Sequence, residues 1–266
     1  MKDRNGNHIL YKKNQLVGAC VELRFPPIPE IVSEPPAQFQ DTIRDDYPNY
    51  QFNILHMGGN GMLQPNGDGN SVQLPTHIFA TKDNVHFISV SPPSFSLSCT
   101  TQYPGWDATM KMIDKPLYNF IQTYSPKSFT RVGIRYLNAI SRQDLGLEGH
   151  AWRELIHPMY LGVLIDEAIP EDEIEKSVVE MNRDFGDGFK ACISAGPGYL
   201  NEFRGNVCVQ EKTKKFIVDV DVSYREPIGT NELIPTMTKA HEYADKLFSD
   251  AITSVLRDAM QPVIAR

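Results

Sequence analysis

The sequence predicts an α+β fold, a pseudo-duplicated arrangement in which two units form a broad antiparallel sheet with helices on one face. Three observations carry this. Short segments alternate apolar and polar residues and are parted by Gly, Pro, Asn and Asp. Two long segments, 105–124 and the stretch from Pro235 onward, repeat apolar residues at helical spacing. The order strand, helix, four strands, helix is met twice, over about 15–126 and again over about 127–262. The repeat lies in the order of elements, not in residue identity. The expected organisation is a polar lead-in at 1–14, a first α+β unit at 15–126 and a second at 127–262, joined as one continuous domain.

In the first unit, Leu16–Phe25 alternates: Ala19, Val21, Leu23 and Phe25 on one face, Gly18, Cys20, Glu22 and Arg24 on the other. Pro26, Pro27 and Pro29 stop it, since proline supplies no ladder donor. Ser33 is expected to cap a helix with Pro35 or Pro36 in its first turn and Phe39 and Ile43 as its apolar edge, closed by Tyr47-Pro48. Gln51–Met57 reads as a strand, the glycine-rich segment 58–70 as a long flexible loop, and 71–81, 84–91 and 93–101 as strands with a turn at Lys82-Asp83-Asn84. Trp106, Met110, Ile113, Leu117 and Phe120 then mark a helix that Pro116 is expected to kink or split.

The second unit opens on Phe129–Asn138, the most informative run in the chain. Val132, Ile134 and Tyr136 point one way and Arg131, Gly133 and Arg135 the other. A helical segment is expected at 151–164, interrupted at Pro158. Strands are expected near 173–183, 187–195, 203–211 and 215–224, with turns at Gly186-Asp187-Gly188 and Gly196-Pro197-Gly198. One long helix closes the unit, its stripe running through Met237, Ala240, Ala244, Leu247, Ala251, Val255 and Ala259.

Composition bounds the function. With 26 Lys and Arg against 33 Asp and Glu, the net charge is −7. That field does not draw the chain to a phosphate backbone, and no Lys/Arg cluster makes a local basic groove, so nucleic acid is not an expected partner. No stretch reaches the length of a membrane span, and the amino-terminal residues lack an apolar signal core, which predicts a cytoplasmic protein with no membrane partner. The four cysteines, Cys20, Cys99, Cys192 and Cys208, form no C-x-x-C pair and read as reduced, structural thiols.

The charged residues opposite the apolar stripes are the candidate binding site: Glu22 and Arg24 on the first strand, Arg131 and Arg135 on the first strand of the second unit, and Asp219 and Asp221 on the last, whose other face is Phe216, Val218, Val220 and Val222. Arginine forks suit carboxylates and phosphates, so this set reads as a charged recognition surface. The plainer reading is a ladder of cross-strand ion pairs that solubilises the sheet, each worth about 0.2–1 kcal/mol. Asp219 and Asp221 lack a third ligand for a metal. The histidines form no metal-protease spacing, and the glycine-rich segment lacks the lysine and helix of a phosphate loop. No catalytic residue, cofactor or metal is therefore expected.

The segments Leu16-Val17-Gly18-Ala19-Cys20-Val21-Glu22-Leu23-Arg24-Phe25-Pro26, Arg131-Val132-Gly133-Ile134-Arg135-Tyr136-Leu137-Asn138 and Val218-Asp219-Val220-Asp221 stand in order along the chain. So do Phe39, Ile43-Arg44, Tyr47-Pro48, Tyr103, Trp106 and the closing amphipathic helix. In this ordered set the chain resembles a sporadically distributed bacterial family of uncharacterised proteins about 250 residues long. The family often has proline near Gly18, and this chain departs there. The resemblance implies no activity; its patchy distribution implies a mobile-element, defence or toxin–antitoxin setting. The expected architecture is similar to the saddle of the TATA-box-binding protein fold and, more loosely, to helix-grip folds, an analogy that does not fix function. The leading expectation is an adaptor that holds a protein partner on the open sheet face or long loops, with homo-oligomerisation through free sheet edges. The alternative is a small-ligand-binding module or unfamiliar enzyme with a pocket between sheet and helices, anchored by Arg131, Arg135, Asp219 and Asp221.

Overall fold

Alternating segments become strands, and segments with helical spacing become helices, in the computed structural model, which describes residues 9–34, 36–57, 63–64, 72–100, 103–204, 207–210 and 213–264. The fold is α+β, with antiparallel sheet and helices packed on one side. In chain order the elements are β1 (Ile9–Tyr11), β2 (Leu16–Arg24), α1 (Glu30–Ser33), α2 (Ala37–Ile43), β3 (Asn49–Met57), β4 (Leu63–Gln64), β5 (Val72–Ala80), β6 (His86–Ser91), β7 (Ser94–Cys99) and α3 (Trp106–Tyr124). There follow β8 (Arg131–Ile140), α4 (Arg142–Leu145), α5 (Trp152–Leu155), β9 (Val179–Asp184), β10 (Phe189–Gly198), β11 (Asn201–Arg204), β12 (Val207–Gln210), β13 (Lys215–Tyr224), α6 (Leu233–Ala251), α7 (Ser254–Ala259) and β14 (Pro262–Ile264). No helix among the described residues is long and apolar enough to cross a membrane.

The chain divides into two compact units, Cys20–Gly133 with Tyr224–Met237, and Met1–Ala19 with Ile134–Ser223 and Thr238–Arg266. Strands β2 and β8 and helix α6 each contribute residues to both. We call them the β3 unit and the β13 unit.

In the β3 unit the strand order is β4-β3-β5-β6-β7-β2. Antiparallel pairing sets Phe52 opposite His77, Phe79 opposite Ile88 and Val90 opposite Phe95. The inward phase of β2 holds: Val21, Leu23 and Phe25 are buried. Helices α2 and α3 close over this face through aromatic rings, Phe39 on Phe79 at 5.5 Å and Phe120 on Phe95 at 4.9 Å and Phe25 at 5.2 Å. The hairpin at Lys82-Asp83-Asn84 forms as expected, with Asn84 at φ 57° and Asp83 accepting from the Val85 amide.

Two local expectations fail in this unit. Ser33 caps nothing: it ends α1, because the residue before Pro35 is pushed extended (Glu34 at φ −129°, ψ 138°), and α2 starts after Pro36 with no side-chain cap. Pro116 does not split α3, which runs unbroken from Trp106 to Tyr124. Proline removes the amide that would donate to the carbonyl of Met112, and the Tyr47 hydroxyl donates to that carbonyl instead, at 3.4 Å. Of the expected loop 58–70, only β4 lies among the described residues.

In the β13 unit the order is β8-β13-β10-β9. Val218, Val220 and Val222 are buried as expected, as are Ile134 and Tyr136. Trp152 packs on Phe216 with ring centroids 5.3 Å apart, and Tyr136 meets His241 of α6 edge-on at 5.9 Å. Residues 9–11, expected as part of a polar lead-in, form β1 and pair with β14, Leu10 opposite Val263. The strand expected over 173–183 starts only at Val179, and that expected over 203–211 is the hairpin β11–β12.

Three further differences have physical causes. The helical segment expected over 151–164 reduces to α5 and two 3₁₀ turns at Pro158–Tyr160 and Gly162–Ile165, because Ile156 leaves the helix to bridge Ile252 and Gly162 turns the chain at φ 55°. The same bridge breaks the closing helix. Thr253 then caps α7 and donates to the Glu154 carbonyl at 2.7 Å, and the buried stripe resumes on Leu256 and Met260, leaving Val255 exposed. Gly196-Pro197-Gly198 is no turn but the end of β10. The backbone of Ser177 passes so close to Gly196 that a Cβ there would lie 1.9 Å from the Ser177 carbonyl oxygen. Pro197 lies beyond the last β9 pair, Ala195 opposite Val179, where a missing amide costs no ladder bond with that strand.

Candidate functional site

Strand alternation puts all six candidate residues opposite the buried stripes, and the structure gathers them into two clusters. Glu22, Arg24 and Arg131 belong to the β3 unit, and Arg135, Asp219 and Asp221 to the β13 unit.

In the β3 unit, Glu22 is shared by two arginines. Arg24 Nε donates to Glu22 Oε2 at 3.1 Å, and Arg131 Nη1 donates to the same oxygen. The Arg131 side chain is only 14 % exposed. Its guanidinium is seated by Gly133, two residues on along the same face: a Cβ at Gly133 would lie 2.1 Å from Nη1 and 2.6 Å from Cζ. The glycine noted in the sequence between two arginines is thus the space that one of them occupies. This cluster is internally paired and tucked against the strand, and it reads as a cross-strand tie.

The β13 cluster is different. Arg135 and Asp219 form a fork, Nε to Oδ1 at 2.9 Å and Nη2 to Oδ2 at 2.6 Å. Two parallel charge-assisted bonds fix the guanidinium plane. Yet the Arg135 side chain is 57 % exposed while Asp219 is 20 % exposed, so the pair is presented outward with the arginine outermost. Next to it the register of β10 and β9 adds Ser194 and Glu180, which the sequence reading does not single out, and Cys192, which it reads only as a structural thiol. Ser194 lies opposite Glu180, and Cys192 opposite Asn182. Period-two alternation in 189–195, with Phe189, Ala191, Ile193 and Ala195 buried, is the signal that would have placed Cys192 and Ser194 on this face.

Cys192 reports the local electrostatics. Its thiol is pushed up first by burial, then by the carboxylates of Glu180, Asp221 and Asp219, against which only Arg135 acts in the other direction. Around this thiol, three carboxylates thus stand against one guanidinium. Burial and these carboxylates favour the protonated thiol, the less nucleophilic form. Further along, Lys190 is engaged by Asp184 at 3.2 Å.

The Asp219 carboxylate uses both oxygens on Arg135, and no group of three metal-binding side chains occurs among the described residues. Cys20, Cys99 and Cys192 are thiols, not disulfides; the Cys208 side chain lies outside the described residues. Two histidines are built into the core. His77 Nε2–H donates to the Ile31 carbonyl at 3.0 Å, which leaves Nδ1 to meet the Tyr50 hydroxyl at 3.0 Å. His241 stands between Tyr136, 2.9 Å from Nδ1, and Asp245, 3.5 Å from Nε2.

No protein-family model matches the chain, and no curated protein matches it.

Proposed function

We propose that the protein is a cytoplasmic binding or adaptor protein, and that it holds a basic protein segment on the face of the β13 unit that carries Arg135, Asp219 and Asp221. The observation that supports the reading is the Arg135–Asp219 fork, rigid by its two bonds and outward by its exposure, set beside carboxylates that outweigh it. A fixed guanidinium gives orientation, and Glu180, Asp219 and Asp221 give the field that attracts Lys or Arg. The same field disfavours phosphate, so nucleic acid is not the partner.

The test is affinity capture from native extract with nuclease present, comparing the wild type with a Glu180→Lys/Asp221→Lys variant of equal melting temperature. A near-stoichiometric basic protein, retained by the wild type and lost from the variant and at high salt, is expected. Identical captured proteins from both chains would refute the assignment to this face.

A further inference from the structure

Among the described residues, strand β3 is a long edge covered only at one end. Its partner on the outer side, β4, meets only His56 and Met57. Between Asn49 and Leu55, no strand among the described residues pairs with the outer edge. The run Asn49-Tyr50-Gln51-Phe52-Asn53-Ile54 has no charge, no proline and no glycine. Sheet proteins ordinarily blunt such an edge with lysine, proline or a bulge. This one also carries an apolar stripe: Tyr50, Phe52 and Ile54 are 41, 52 and 53 % exposed. They lie on the helix side, since their β5 partners are Phe79, His77 and Pro75, and Phe79 and His77 are buried. Tyr50 and Phe52 rest on His77 with ring centroids 6.1 and 5.2 Å away, so the stripe is held in place before anything binds.

We propose that this edge pairs with the same edge of a second copy of the chain, antiparallel, about a two-fold axis at Phe52. The position of the axis follows from the structure. Strand β4 blocks the outer edge at His56 and Met57, and the window from Asn49 to Leu55, unpaired on that side among the described residues, has Phe52 at its centre. Pairing about that centre sets Phe52 against Phe52, Tyr50 against Ile54 and Gln51 against Asn53. Aromatic–aromatic and aromatic–β-branched pairs are favoured across strands, and the amides can bond to each other. The segment is thus complementary to itself, as an isologous interface requires. The stripe supplies about 300 Å² of side-chain surface per copy, taking about 200 Å² for a whole large side chain. With a short main-chain ladder added, the interface lies at the small end of specific contacts, where association is weak and transient.

The experiment is sedimentation equilibrium of the whole chain from about 1 to about 200 µM, a range that brackets such an interface. The wild type is expected to pass from monomer to dimer. Two variants change only exposed polar residues on the opposite side of β3. Gln51→Lys/Asn53→Lys places like charges opposite each other twice across the axis and is expected to weaken the dimer at least tenfold. Gln51→Lys/Asn53→Glu places opposite charges there and is expected to restore it. Equal melting temperatures at low concentration separate this from misfolding. A wild type that stays monomeric throughout, whether the edge is bare or taken by an extended segment of another protein, overturns the proposal. So do two variants that associate equally.

Discussion

Removing the Tyr47 hydroxyl tests how α3 tolerates a proline in its interior. Pro116 offers no amide to the Met112 carbonyl, and Tyr47, only 3 % exposed, donates to it at 3.4 Å. A hydrogen bond of this kind contributes about 0.5–1.5 kcal/mol net, and its length puts it in the lower half of that range. Tyr47→Phe is therefore expected to cost about 0.5–1 kcal/mol. In a Pro116→Ala background the amide of residue 116 can serve the carbonyl itself, so the same substitution costs less. The two changes should couple by about 0.5 kcal/mol or more, read from urea midpoints of the four chains. Additive effects, with coupling below about 0.3 kcal/mol, would mean that Tyr47 is not the substitute donor. The pH dependence gives a second readout. Burial, with the Asp46 charge adding, pushes the Tyr47 hydroxyl up to about 12. The folded state thus holds this proton more tightly than the unfolded one, where tyrosine titrates near 10. The contribution is whole below pH about 10 and is lost as pH rises through about 12. Wild type should lose stability faster than Tyr47→Phe across that window.

Two further predictions concern the β9–β10 hairpin and the strand glycines. Asp187, in the turn Gly186-Asp187-Gly188, accepts from Tyr243 at 2.7 Å and pairs with Lys239 at 2.8 Å, while Phe185 stacks on Tyr243 at 4.0 Å. The Lys239 bond, then the Tyr243 bond, hold its carboxyl down to about 2. This tie contributes above pH about 4 and is lost as pH falls through about 2, so Asp187→Asn should flatten the acid limb of stability measured by urea denaturation between pH 5 and 2. Gly196→Ala drives a Cβ against backbone and should cost about 1–3 kcal/mol or more. Gly133→Ala meets only the end of the Arg131 side chain, which can swing away. Its cost should stay within about 1 kcal/mol, because the weakened ion pair is offset by the relief of glycine entropy. Equal melting-temperature losses for the two alanine variants would contradict the distinction between backbone and side-chain clashes.

What was legible in the sequence was what alternation and periodicity encode. The apolar faces of β2, β8 and β13 hold residue by residue, and so does the α6 stripe as far as Ala251, whereas Ser223, expected on the outward face of β13 with Asp219 and Asp221, is buried. Ser33 fails for a local reason, the proline after Glu34; other errors fall where a contact distant in sequence overrides a local signal. Ile156 and Ile252 are 96 residues apart, and their bridge broke two helices whose local spacing was sound. Pro116, expected to kink or split α3, does not split it, and the donor that serves the Met112 carbonyl in place of the missing amide comes from Tyr47, to which no local pattern points. Gly133 is expected in a strand and Gly196 in a turn, yet both lie in strands; Gly196 admits backbone and Gly133 an arginine. The candidate charges were found because they break an apolar rhythm. Ser194 and Glu180 carry no signal in their own segments, Cys192 reads only as a structural thiol, and the register of β10 on β9 is what brings them to one face.

Salt separates the two proposed binding surfaces. A partner held by Glu180, Asp219 and Asp221 is held by charge, and its association should slow and weaken as ionic strength rises. Pairing through Tyr50, Phe52 and Ile54 removes apolar surface from water and uses no charge from the paired segment, while each copy carries a net charge of −7. Screening therefore relieves repulsion between copies without weakening what joins them, and self-association should hold or tighten with salt. The two dependences run in opposite directions, so a single titration of sodium chloride, followed by sedimentation for the dimer and by capture for the partner, assigns each event to its surface. A dimer that dissolves as salt rises would move the self-contact from the β3 edge to a charged face.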